Sequence, residues 1–164
     1  MIGGYQGGQA GFFTLPTRRS ASPRPLPPAK DQAAAFARQR EADRTAIAED
    51  YVELIADLLQ VDGEARAVDI ARRMGVSQAT VTNTIGRLQR DGLVETKPYR
   101  GLFLTQAGRD MAAAAKARHD LVVRFLIAVG LDPETAEQDA EGLEHHASEK
   151  ALAAFARFLA VREG

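Results

Sequence analysis

Glu141, Glu144 and His145 stand at i, i+3 and i+4, a spacing that puts two carboxylates and an imidazole on one face of a helix, within roughly 100° of arc. Side chains so placed can converge on one point, and what they offer there is coordination of a cation. A second acidic pair, Asp50 and Glu53, repeats the i, i+3 spacing in a separate amphipathic segment. The chain has three histidines, His119, His145 and His146, and four carboxylates with two imidazoles make a hard, oxygen-dominated set, suited to manganese or ferrous iron in octahedral geometry rather than to four-coordinate zinc. Four negative charges also balance two divalent ions, which favours a binuclear site with bridging carboxylates. The plainer alternative is that the acidic pairs are solvated helix faces and that a histidine on a helix is a surface or core residue. Spacing alone does not separate the two. His146 points away from the 141/144/145 face and reads as structural, or as an outer support. Two enzyme templates fail: the zinc-protease order His-Glu-x-x-His is absent, and so is the Glu-x-x-His pair of di-iron bundles, because Glu144 stands three residues after Glu141.

Composition narrows the chemistry further. The 164 residues include no cysteine, which removes disulfides, thiolate zinc sites and cysteine nucleophiles together. An apolar fraction of 45% suits one domain with a real core, or two small ones sharing a helix. No segment approaches the ~18 to 20 uninterrupted apolar residues of a membrane span, and the N-terminus shows no basic-then-apolar signal pattern. A cytoplasmic protein without membrane contact is the expectation. The net charge of −1 hides a segregation: residues 1–43 carry six Lys/Arg against three Asp/Glu and residues 61–105 seven against five, whereas 44–60 carry one against four and 106–164 seven against ten. The lean toward nucleic acid is modest and decides nothing alone.

Elements to position these residues follow from the pattern. Residues 1–30 are rich in Gly, Pro, Ser and Gln and are expected to be a disordered tail. Residues 31–60 read as one long helix, or two with a break near Asp43, whose core stripe is Ile47, Tyr51, Leu54, Ile55 and Leu58. A short helix over 67–74 offers Val68, Ile70, Ala71 and Met74 to the core. Gly75 ends it, and Ser77 caps a helix over 78–90 with Val81, Ile85 and Leu88 inward. Leu93-Val94-Glu95 and Leu102-Phe103-Leu104 are β runs about a turn at Pro98-Tyr99-Arg100-Gly101. Helix, turn, helix and hairpin make a winged helix. A long helix from Gln106 to about Val129, another from Pro133 to about His146, and a last one from 148 to near Arg162 exceed what that unit needs. Dimerisation and sensing are their natural use, with Phe125 and Leu143 in the apolar core. The fold class is thus mainly α, in four parts: a tail (1–30), a helical extension (31–43), a winged helix-turn-helix (44–105) and a helical dimerisation and metal-binding unit (106–164).

In such a head the second helix enters the major groove. Its first turns present Ser77, Gln78, Ala79, Thr80, Thr82 and Asn83, short or amide-bearing side chains that allow close approach. Asn83 suits bidentate pairing with adenine, Arg87 and Arg90 suit phosphates, and Lys97, Tyr99 and Arg100 at the wing tip suit backbone or minor groove. The alternative is a solvated polar face on a protein-binding domain.

The run Asp50-Tyr51-Val52-Glu53, the helix start Val76-Ser77-Gln78-Ala79-Thr80-Val81, the wing Tyr99-Arg100-Gly101-Leu102-Phe103-Leu104-Thr105, Arg118-His119 and Asp139-Ala140-Glu141-Gly142-Leu143-Glu144-His145-His146 resemble the manganese-sensing branch of the diphtheria toxin repressor family. The likeness spans about residues 44–162. It implies a homodimer that represses manganese uptake genes when Mn(II) is bound, with Asp50, Glu53, His119, Glu141, Glu144 and His145 as ligands of two ions per subunit and double-stranded operator DNA as partner. Iron-sensing relatives carry methionine where Asp50 stands and cysteine where Glu141 stands, and their C-terminal SH3-like domain is not expected here. Residues 1–43 extend beyond the shortest members. Two other readings stay open: a winged-helix factor that senses iron or an organic ligand, and a binuclear-metal hydrolase, which lacks an evident base or nucleophile.

Overall fold

The computed structural model describes residues 25–96 and 101–163. Its first element, α1 (Ala29–Val61), is one continuous helix of 33 residues, with no break near Asp43. Side chains carry it across that point: Gln39 Nε2 donates to Asp43 Oδ1 (2.8 Å), Arg44 pairs with Glu41 (3.5 Å), and the Thr45 hydroxyl donates to the Glu41 carbonyl (3.1 Å). Such contacts are worth only a few tenths of a kcal/mol each. The helix is seated by its C-terminal half, where Ala48, Tyr51, Val52, Ile55 and Leu58 are buried. This stripe is rotated from the one read in the sequence, since Ile47 is 43% exposed and Ala48 and Val52 take its place.

The helix-turn-helix is α2 (Ala67–Met74) and α3 (Gln78–Arg90). Gly75 closes α2 at φ 67°, a left-handed conformation that costs glycine little. Ser77 Oγ accepts the Thr80 N–H (3.1 Å) and starts α3. Ile70, Ala71, Val81, Ile85 and Leu88 join the α1 stripe in one core, whereas Val68 turns out to solvent. The wing is an antiparallel pair, β1 (Val94–Thr96) and β2 (Leu102–Leu104), with Val94 opposite Leu104 and Thr96 opposite Leu102. Leu102 also donates its N–H to the Ala65 carbonyl (2.7 Å), tying the wing to the segment before α2.

Thr105 joins head and body. Its hydroxyl accepts the Gly108 N–H (3.1 Å) to cap α4 (Gln106–Ala128) and donates to the Gly92 carbonyl (2.6 Å) just past α3. Then come α5 (Pro133–Glu144), capped by Asp132 on the Thr135 N–H (3.0 Å), and α6 (Glu149–Glu163). A second core gathers Val122 and Leu126 of α4, Ala136 and Ala140 of α5 and Leu152 of α6, with Phe125 stacked on Phe155 at 4.0 Å. Because α4 packs on α1, α5 and α6 alike, it is the shaft common to both cores. At the end of α5 the helix runs to Glu144 with His145 as its cap, and one expectation fails there: Leu143 is 44% exposed. Among the described residues no helix is long and apolar enough to cross a membrane.

Candidate metal centre

The buried stripe of α5 runs Ala136, Ala140, Glu144. Two small residues bring α5 close to α4, and the third position of the same stripe then carries a carboxylate that is only 3% exposed. Packing, not solvent, fixes where Glu144 sits. From α4, His119 meets it: one ligand atom each from His119, Glu141 and Glu144 lie within 4.8 Å of one another. The two oxygens of Glu144 diverge. Oε2 lies 3.4 Å from His119 Nδ1, while Oε1 lies 3.4 Å from His145 Nε2, which is itself 3.1 Å from Asp50 Oδ1 on α1. Glu53, one turn along α1 from Asp50, lines the same cavity of about 400 Å³ as His119 and Glu141. Segments separated by up to 95 positions thus bring all six candidate ligands together, in two clusters that share Glu144.

The arrangement fits cations. Glu53 Oε1 and Glu144 Oε2 are buried and accept no hydrogen bond, a costly state for a carboxylate oxygen unless an ion completes it. Burial, then the charges of Glu144, Asp50 and Glu141, push the Glu53 carboxyl up to about 7. Asp50 and Glu144 are also raised, in each case mainly by burial. Burial pulls His119 down, but the hydrogen bond to Glu137 and the charges of Glu144, Glu141 and Glu137 outweigh it and its pKa is raised. A folded-state pKa above the unfolded one means that stability is present at lower pH and lost as pH rises through the folded value. For Glu53 that window runs from its ordinary 4.5 to about 7, and the other three groups act with the same sign. The ion-free protein should therefore lose thermal stability across this interval, and a divalent cation that displaced the protons should reverse the trend. Melting curves with and without Mn(II) across that range check it; an ion-free protein that gained stability there would contradict the burial and crowding of these carboxylates.

Two further carboxylates, Glu49 and Glu137, support the cluster without having stood out in the sequence, together with Arg118. Glu49, only 8% exposed, accepts from Arg118 (2.6 Å) through Oε1 and lies 3.0 Å from His145 Nδ1 through Oε2. Glu137 Oε1 lies 3.2 Å from His119 Nε2. A signal for Glu49 was present: it flanks the apolar stripe of α1 where a lone carboxylate is expensive, and a partner cation, Arg118, directly precedes His119.

On the other side of the head, Ser77, Gln78, Ala79, Thr80, Thr82 and Asn83 are all exposed on the first turns of α3. Ser77 and Thr80 are occupied with each other (2.9 Å), and the Thr82 hydroxyl donates to the Gln78 carbonyl (2.9 Å), which leaves Gln78 and Asn83 with the longest reach. Arg87 is half-buried beside Glu41 and Arg44 of α1, while Arg90 is exposed. Lys97, Tyr99 and Arg100 lie outside the described residues.

A winged-helix head joined through a shared shaft to a helical body with a hard-ligand cluster defines a class of ligand-responsive transcription regulators. Residues 43–102 match the family model described as the iron dependent repressor N-terminal DNA binding domain, and residues 105–163 that of the iron dependent repressor metal binding and dimerisation domain. The transcriptional regulator MntR of Escherichia coli O157:H7 is 50% identical over 123 residues, 75% of this chain and 79% of the relative. The HTH-type transcriptional regulator MntR of Geobacillus kaustophilus is 38% identical over 104 residues, 63% and 74% of the two chains. Among solved structures, the manganese regulator SloR (28% identity, TM-score 0.60) and a manganese-dependent transcriptional repressor in complex with manganese (30% identity, TM-score 0.58) each align over 68% of this chain. The chain spans about half the length of those two structures, 53% and 52%. The chain belongs to the iron-dependent repressor family.

Proposed function

We propose that the chain is a manganese-responsive, DNA-binding repressor that acts as a cytoplasmic homodimer on manganese uptake genes, and that it is a regulator and not an enzyme. The observation that carries this is that the two Glu144 oxygens meet two different imidazoles, Oε2 that of His119 and Oε1 that of His145, each at 3.4 Å. One Mn(II) would be held by His119, Glu141, Glu144 and Glu53, a second by Asp50, His145 and Glu144. Carboxylates and imidazoles without sulfur favour a hard divalent ion. Its chemistry is charge neutralisation: bound ions would offset the burial and the mutual repulsion that raise the carboxyls of Asp50, Glu53 and Glu144, and so draw α1 onto α4 and α5.

The functional consequence follows from where α1 belongs. Its C-terminal half is part of the core that seats α3, so fixing α1 on the body fixes the recognition helix. In a homodimer the two recognition helices must sit about 34 Å apart to enter successive major grooves. An ion that narrows the range of head positions raises DNA affinity, and by linkage DNA raises metal affinity equally. In this reading residues 31–43 are a helical extension, 44–105 the reading head and 106–164 the dimerising sensor. Ser77, Gln78, Ala79, Thr80, Thr82, Asn83, Arg87, Lys97, Tyr99 and Arg100 face DNA.

Operator fragments selected from genomic DNA by the manganese-loaded protein, followed by anisotropy titrations with and without Mn(II), test the proposal. Tight binding with metal and weak binding without it is the expected result; binding indifferent to metal overturns it. On the same operator, Asn83→Ala should cost about 1–3 kcal/mol and relax preference at one position per half-site, because an amide that reads a base edge is lost. Manganese affinity without DNA should not change. A loss equal on all sequences would remove Asn83 from base reading.

A further inference from the structure

Each histidine of the cluster turns one ring nitrogen to Glu144 and the other to a carboxylate outside the proposed ligand set. On His145, Nε2 faces Asp50 (3.1 Å) and Glu144 (3.4 Å), and Nδ1 faces Glu49 (3.0 Å). On His119 the ring is used the other way round: Nδ1 faces Glu144 (3.4 Å) and Nε2 faces Glu137 (3.2 Å). An imidazole binds a cation through its unprotonated nitrogen, and an acceptor on the far nitrogen decides which one that is. We propose that Glu49 and Glu137 are positioning residues that hold the two histidines in opposite tautomers, His145 protonated on Nδ1 and His119 on Nε2, so that each presents its other nitrogen to an ion. This rests on the metal-site reading given above.

The two supports are built differently. Glu49 is buried and is itself pinned by Arg118 at 2.6 Å, so a residue of α1 is tied at once to α4, through Arg118, and to the end of α5, through His145. Water has little access to compete. Glu137 stands at the mouth of the cavity with its side chain 64% exposed, where solvent weakens its hold. Outer supports of ligating histidines are typically worth 10–100-fold in metal affinity. Loss of Glu49 should lie toward the upper end of that range and loss of Glu137 toward the lower. The effects should also fall on different ions, Glu49 on the one beside His145 and Glu137 on the one beside His119. In water a free histidine favours the Nε2–H form, which makes the Nδ1–H form of His145 the more telling assignment.

Long-range proton–nitrogen correlation spectra of the full chain, labelled with ¹⁵N-histidine and recorded in mildly alkaline buffer, ion-free and with diamagnetic Cd(II), report the tautomers directly. Calorimetric titration with Mn(II) reports the two affinities. The wild type should show Nδ1–H at His145 and Nε2–H at His119. Glu49→Leu should release His145 toward Nε2–H and weaken one ion by about 10–100-fold, while Glu49→Gln, which still offers an oxygen, keeps the tautomer. Glu137→Ala should loosen His119 and weaken the other ion by about tenfold; its exposed position carries no risk to folding if Glu49→Leu fails to fold. The same tautomer on both histidines in the wild type, or unchanged tautomers and affinities in Glu137→Ala, would overturn the inference and leave the metal site standing. A wild type that bound neither Mn(II) nor Cd(II) would overturn the reading beneath it.

Discussion

Glu144→Gln should abolish the response to manganese at both ions while leaving the helices in place. The substitution keeps the size and one oxygen of the side chain but removes the charge shared by the two halves of the cluster, where Oε2 lies 3.4 Å from His119 and Oε1 3.4 Å from His145. Any ion beside either imidazole loses an anionic ligand. The ion-free variant should be as stable as the wild type or more so, because burial already holds the Glu144 carboxyl above its ordinary range and a neutral amide removes that penalty. This separates loss of sensing from unfolding. With coupling between sites typically worth 1–3 kcal/mol, the variant should lose the roughly 5–150-fold gain in operator affinity that metal provides. Free-Mn(II) measurement by electron paramagnetic resonance and operator anisotropy together read the outcome, with Asp50→Asn as the contrast that removes a carboxylate only from the His145 side. A Glu144→Gln protein with wild-type metal response would remove the shared carboxylate from the site.

The reading head was visible in the sequence because its punctuation is chemical and local. Gly75, with φ 67°, and Ser77, capping Thr80, mark the turn between α2 and α3, and any chain that placed those residues there would end one helix and start another. The i, i+3 spacing of Glu141 and Glu144 likewise survives into the structure, because a helix converts spacing into proximity, whereas His145, the cap of α5, turns to Asp50 and Glu49 and does not join Glu141. What spacing could not supply was phase. Ile47 and Ala48 are adjacent apolar residues and only the partner helices decide which is buried, so Ile47 was misplaced. Leu143 fails for a related reason: the face of α5 that meets α4 is set by Ala136, Ala140 and Glu144, and an apolar residue off that stripe is left in solvent. Glu49 was hidden for the opposite reason. Its role depends on Arg118, 69 positions away, and on a ring nitrogen whose direction exists only after α1, α4 and α5 have packed.

Gly108→Ala should be the most damaging small change in the chain that touches no ligand. Gly108 is buried in the first turn of α4, and a Cβ there would run into the Leu93 carbonyl, with Leu104 close behind. That carbonyl cannot withdraw easily, since it accepts the Thr105 N–H (3.0 Å) and the Thr105 hydroxyl (3.2 Å). The start of α4 must lift instead, against the cap that joins it to the end of α3. Overpacking against fixed backbone costs about 1–3 kcal/mol or more, here toward the upper end. The displacement is also transmitted: His119 lies 11 residues further along the same helix, roughly 16 Å at 1.5 Å per residue, so a slight tilt at Gly108 moves it relative to Asp50 and Glu53 on α1. Manganese affinity should fall together with stability, although Gly108 is far from the ligand cluster. Gly142→Ala is the matched control, because Gly142 stands in α5 beside Glu141 with open space around its Cα; there alanine should stabilise the helix by up to about 1 kcal/mol and leave metal binding intact. Urea unfolding and Mn(II) titration of both variants decide the matter. If Gly108→Ala matched the wild type in both, α4 would not be the shaft that holds the sensor in register with the reading head.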